Sequence, residues 1–106
     1  MDVRKERFKM AKELPRNKDG KKMYPVCSWE RNQHKIYNAH ERAWVRLYQA
    51  RENGTPEEED EAEKAYDYAM IAYNAFDACV RDGIVYATWD EGKVIKDLIA
   101  GYDFRH

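Results

Sequence analysis

The chain has 106 residues, 43% of them hydrophobic and 37% charged, with 19 basic against 20 acidic side chains for a formal charge of −1. That length supports one domain with its own core and no disulfide or structural metal, and no run approaches the ~20 apolar residues of a membrane span. Cys27 and Cys79 are too few for a disulfide scaffold or a zinc site, and the charged start MDVRKERFKM lacks the apolar segment of a signal peptide, so a cytoplasmic location and reduced thiols are expected.

In chain order, residues 2–14 read as a basic helix that Pro15 ends, with Val3, Phe8, Met10, Ala11 and Leu14 scattered around it. RNKDGKKMYPVC follows, turn-rich and then extended. The chain's single serine and two threonines, Ser28, Thr55 and Thr88, each stand at the entrance of a helical pattern. Ser28 opens a helix over 28–52 that Asn53-Gly54 closes, with Trp29, Ile36, Tyr37, Trp44, Leu47 and Tyr48 on the face read as inward. Thr55-Pro56 opens the next, with proline at its first position and Glu58 at its third; this helix is placed over 56–82 and closed by Asp82-Gly83.

Between Ala65 and Val80 that helix carries only Asp67, Asn74 and Asp77 as strongly polar residues, so most of its circumference asks for burial. Ala62, Tyr66, Ala69, Tyr73, Phe76 and Val80 form the expected packing seam, and Tyr68, Ile71, Ala75 and Ala78 a second apolar line. IVYA is a short β-branched and aromatic connector. Thr88-Trp89-Asp90-Glu91 is a capping box that opens a helix over 89–100, with Val94, Ile95, Leu98 and Ile99 as its apolar side and Gly101 at its end. The expected fold is all-α: a small helical bundle built on a long antiparallel helical hairpin, whose connectors are able to pair as a minor two-stranded ribbon. Residues 1–106 are read as a single helical domain, with a basic N-terminal helix and connector (1–27), the hairpin (28–82) and a short C-terminal helix and tail (84–106).

Charge is neutral in sum and separated in sequence: residues 1–35 carry eleven bases and five acids, and 55–63 carry six acids and no base. Glu57, Glu58, Glu59 and Asp60 oppose the partial positive charge of a helix start, and the first three are also candidates to attract a basic partner. Arg31, Lys35, Asn38, Arg42, Arg46 and Gln49 recur at helical spacing, a stripe suited either to solvent or to phosphates. With Lys18, Lys21 and Lys22, its four bases make up the candidate nucleic-acid-binding set.

Catalytic signals are sparse. A hydroxyl that caps a helix is poorly placed as a nucleophile, and the five glycines stand too far apart for a phosphate loop. His34 and His40 are six positions apart and so on different sides of a helix, which rules out joint metal ligation. Cys27, just before a helix start, is the one thiol placed for a lowered pKa, and a small enzyme using Cys27 or His40 is the third reading. No catalytic residue, metal or cofactor is assigned.

Tyr24, Tyr68, Tyr86, Tyr102 and Phe104 lie in connectors, at the tail or off the main seam, and aromatics rimmed by charge typify binding surfaces. The leading expectation is therefore a non-enzymatic protein-interaction module that docks on a larger protein or nucleoprotein complex. The small accessory regulators and inhibitors of phages and mobile elements are the class that suits its size. Nucleic-acid binding is the alternative. A homodimer would cover apolar surface left by the short helices.

Overall fold

The computed structural model describes residues 14–101. Residues 2–13 of the expected first helix, and the candidate residues Tyr102 and Phe104, lie outside the described residues. The elements are β1 (Tyr24–Ser28), α1 (Trp29–Asn53), α2 (Pro56–Phe76), β2 (Val80–Arg81), β3 (Ile84–Ala87) and α3 (Trp89–Ile99). The described chain is thus mostly helical, with a small antiparallel sheet ordered β1-β3-β2.

Each helix starts where a hydroxyl accepts an amide. Ser28 Oγ takes Arg31 N at 3.4 Å, Thr55 Oγ1 takes Glu58 N at 3.2 Å, and Thr88 Oγ1 takes Glu91 N at 3.4 Å while Glu91 Oε1 accepts Thr88 N at 3.3 Å. These bonds satisfy amides that have no partner inside the helix.

The end of α2 corrects the expectation of a helix over 56–82. α2 stops at Phe76, and Asp77 takes up the cap position. The chain then turns into a β2–β3 hairpin whose two loop residues, Asp82 and Gly83, have φ of 53° and 77°. Two successive positive φ values are what the tightest hairpin turn needs, and Asp-Gly supplies them at little steric cost. The same dipeptide also fits a helix stop, which is the expectation that the hairpin corrects. The sheet therefore has a third strand, cut from the expected helix. β1 pairs with β3 from Tyr24↔Ala87 to Ser28↔Ile84, with a bulge between Pro25 and Cys27.

The buried line of α2 is alanine: Ala62, Ala65, Ala69, Ala72 and Ala75, ending in Phe76. That of α1 is Ile36, Ala43 and Leu47. Side-chain contacts pair Tyr37 with Tyr73, Trp44 with Tyr66, and Arg51 with Glu59, so residue numbers fall along α2 as they climb along α1. Alanine fills the buried positions of α2, and of the aromatic side chains on these two helices only Phe76 is fully buried. This corrects the expected seam, because Tyr73 and Val80 are exposed and Tyr66 is half-buried. It equally corrects the expected inward face of α1, where Trp44 and Tyr48 are exposed.

The main apolar cluster lies where α1, α2, β3 and α3 meet: Ile36, Ala72, Ala75, Phe76, Val85, Ala87, Val94, Ile95 and Leu98. Gly92 lets α3 lie close on β1, since a Cβ there would stand 3.3 Å from Val26 Cγ2.

Candidate functional site

The rings excluded from the alanine seam gather along its rim. Five ring contacts run without a break through Tyr37, Tyr73, His40, Tyr66, Trp44 and Tyr48: centroids are 6.2, 4.1, 5.5, 6.0 and 6.3 Å apart in that order. Three members remain open to solvent, with Tyr48 54%, Trp44 45% and Tyr73 39% exposed. His40 is half-buried, stacked on Tyr73 at 21° between planes, with Nε2 3.0 Å from Met70 Sδ.

One end of this ladder is anchored from below and from the side. Phe76, wholly buried, lies under Tyr37 at 6.4 Å. Asp77 receives two aromatic donors, Trp29 Nε1 at 2.5 Å on Oδ1 and Tyr37 Oη at 2.8 Å on Oδ2. The hydrogen bond to Asp77 raises the Tyr37 phenol above its ordinary value of 10.0, with burial and the carboxylate's charge adding to it. Asp67, Asn74 and Asp77, the polar stripe of the sequence, are all exposed.

Three exposed carboxylates stand at helical spacing from members of the ladder or from Met70 beneath His40. Exposed Glu41 lies four residues after Tyr37 and three before Trp44, and exposed Glu63 and Asp67 lie three before Tyr66 and Met70. At the far end Arg51 Nε stands 3.9 Å from Glu59 Oε1.

The opposite flank of α1 is basic. Lys35, Asn38, Arg42, Arg46 and Gln49 line a groove completed by Leu98 and Ile99 at the end of α3. Arg46 Nη2 is 3.9 Å from Glu61 Oε2, and its Nη1 is buried without a hydrogen-bond partner. A second, smaller groove lies between the 16–22 turn and the start of α3, lined by Arg16, Lys21, Lys22, Tyr24, Trp89 and Asp90 among others.

The structure thus separates residues that the sequence grouped. Lys35, Arg42 and Arg46 share one groove and Lys21 and Lys22 the other, while Lys18 and Arg31 are exposed outside both linings. Tyr24 is exposed against Trp89, and Tyr86 is half-buried in β3. Tyr68 turns inward against the core and donates its hydroxyl to Asp97 Oδ2 at 2.5 Å, tying α2 to α3. Glu57 and Glu58 are exposed at the start of α2, and Glu59 is half-buried.

Cys27 departs from the expected lowered pKa. Burial pushes its thiol above the ordinary 9.0, and the opposing hydrogen bond with Asn32 and charge of Lys96 do not restore it. Among the described residues no three His, Cys, Asp or Glu side chains converge where they could hold a metal ion, and no helix is long and apolar enough to cross a membrane.

Trp44, Tyr48, Tyr73 and Trp89 were absent from the expected binding set. The signal that could have found the first two is angular: they lie roughly 80–120° around α1 from the line of Ile36, Ala43 and Leu47, on the ~100° per residue of a helix. That arc is wider than one neighbour covers. No family model, curated protein or solved structure matches this chain.

Proposed function

We propose that this chain acts by docking on a larger protein or nucleoprotein complex, not by catalysis, and that the aromatic ladder of α1 and α2 is its docking face. The carrying observation is the unbroken contact of six rings with Tyr48, Trp44 and Tyr73 still exposed. Rings already held by their neighbours lose little freedom on binding, and Trp and Tyr are the residues in which interface energy concentrates.

The exposed carboxylates beside the rings support a partner surface with arginine or lysine at its rim, whose cations would meet both ring faces and acids. A second copy applied by two-fold symmetry would set acid against acid, so the homodimer is the weaker occupant of this face. The thiol of Cys27, protonated at neutral pH, and the hydroxyls of Ser28, Thr55 and Thr88, held in helix caps, support a non-enzymatic role. A small accessory regulator or inhibitor of the phage or mobile-element kind, acting in the cytoplasm, is the role this surface suits.

A second reading rests on one observation. Arg46 Nη1, buried without a partner in the basic groove of α1, is a donor to which a phosphate oxygen would give one, and Lys35 and Arg42 line the same groove.

The test is affinity purification with the wild-type chain and the Trp44→Ala/Tyr48→Ala variant, each checked by circular dichroism. A basic protein retained in stoichiometric amount by the first and lost from the second is expected. An identical set of bound proteins on both would overturn the ladder as the docking face. Retention of nucleic acid that is lost with Lys35→Ala/Arg42→Ala/Arg46→Ala would favour the second reading.

A further inference from the structure

The small groove beside α3 is chemically unlike the ladder. Trp89, at the first position of α3, is 63% exposed although its ring contacts Tyr24 edge-on at 6.1 Å and 82°. Three bases and one acid line the groove with these rings: Arg16, Lys21 and Lys22 against Asp90. Lys93 adds a fourth cation, its Nζ 5.4 Å from the centre of the Trp89 ring.

The cations stand on a constrained turn. Asn17 Oδ1 accepts the amides of Asp19 and Lys21, both at 2.9 Å, Arg16 Nη1 donates to Gly20 O at 2.6 Å, and Arg16 bridges Lys22.

We propose that this groove binds single-stranded nucleic acid, with a base stacked on Trp89 and the backbone phosphates met by Arg16, Lys21 and Lys22. An exposed indole beside a row of cations supplies both of the interactions that sequence-tolerant binding of single strands uses. A duplex hides its base faces and offers the ring nothing. An acidic peptide would answer the cations but leave the indole without a flat partner. A base arriving over Trp89 displaces Lys93, whose exposed ammonium is held on the ring more weakly than a stacked base, and whose flexible stem lets it follow a phosphate.

The experiment uses the full chain with fluorescently labelled twelve-nucleotide oligothymidylate and oligouridylate, the matching duplexes and a glutamate-rich peptide of equal length. Anisotropy gives affinity, and the indole N–H resonance of Trp89 reports the ring. The expected result is single-strand binding that weakens as salt rises, shifts the Trp89 resonance, and falls at least about fivefold in Trp89→Ala. Trp89→Phe should keep part of it and Trp44→Ala all of it. Lys21→Ala/Lys22→Ala should reduce the slope of log affinity against log salt by about 1.4. Preference for DNA or RNA identifies the strand. The proposal is overturned by absence of binding at low salt, equal binding of duplex, tighter binding of the acidic peptide, or affinity unchanged in Trp89→Ala. None of these outcomes touches the ladder, which Trp44 and Tyr48 test separately.

Discussion

Two exposed aromatic regions among the described residues use the same kind of side chain and differ in the charge that predominates beside it. Along α1 and α2, Glu41, Glu63 and Asp67 are exposed at helical spacing from Tyr37, Trp44, Tyr66 and Met70, with Arg51 paired to Glu59 at the far end; beside α3, Trp89 and Tyr24 share a groove with Arg16, Lys21, Lys22 and Asp90, and Lys93 stands over the indole. An aromatic face supplies apolar area and a tolerant stacking surface, and the charges at its edge decide which partner approaches and how fast. A net charge of −1 conceals both.

The largest change expected is from Phe76→Ala, which empties the site that supports Tyr37 and joins α2 to β3 and α3. It should cost about 3–5 kcal/mol in urea unfolding and weaken both surfaces together. Next is Trp44→Ala/Tyr48→Ala, for which partner affinity should fall by about 2 kcal/mol or more, roughly 30-fold. Its stability should change by less than about 1 kcal/mol, because exposed rings contribute little to the core. A large loss of stability would make these rings structural and remove the contrast between ladder and core.

Reversing the border should separate steering from contact. Glu41→Lys/Asp67→Lys should slow association with a basic partner about tenfold at low salt and much less at high salt, read by stopped-flow. An unchanged rate at low salt would show that the acids merely face water. Asp77→Ala should cost about 1 kcal/mol by releasing Trp29 and Tyr37.

The smallest effect is alkaline. Tyr37 holds its proton above the ordinary value of 10.0 in the folded chain. The stability this carries is present below that pH and is lost as pH rises through the folded value. Wild type should therefore lose more stability than Tyr37→Phe as pH rises from about 10, measured by urea unfolding. Parallel curves would show that the Asp77 hydrogen bond does not persist in solution.

Legibility followed the range of the interaction involved. Ser28, Thr55 and Thr88 were readable as helix starts because a cap is completed within three residues. Asp82-Gly83 was misread by a rule equally local. The dipeptide closes helices and also turns hairpins, and the β-branched residues on both sides, Val80 before it and Ile84 and Val85 after it, were the sign of the second use. Tyr68 and Tyr24 looked alike as aromatics outside the main seam, yet Tyr68 meets Asp97 twenty-nine residues away and Tyr24 is left at the surface beside Trp89. The helical apolar line of Tyr68, Ile71 and Ala75 was the one local sign that set Tyr68 apart.

From the sequence alone came the helix starts, the alanine and aromatic content and the separation of charge, because each depends on composition or on neighbours a turn away. Which of two apolar sets on a helix is buried came only from the tertiary structure. The alanines of α2 take the buried positions and leave Tyr73, Trp44 and Tyr48 at the surface, because a helix turns only one arc of its circumference toward a given neighbour.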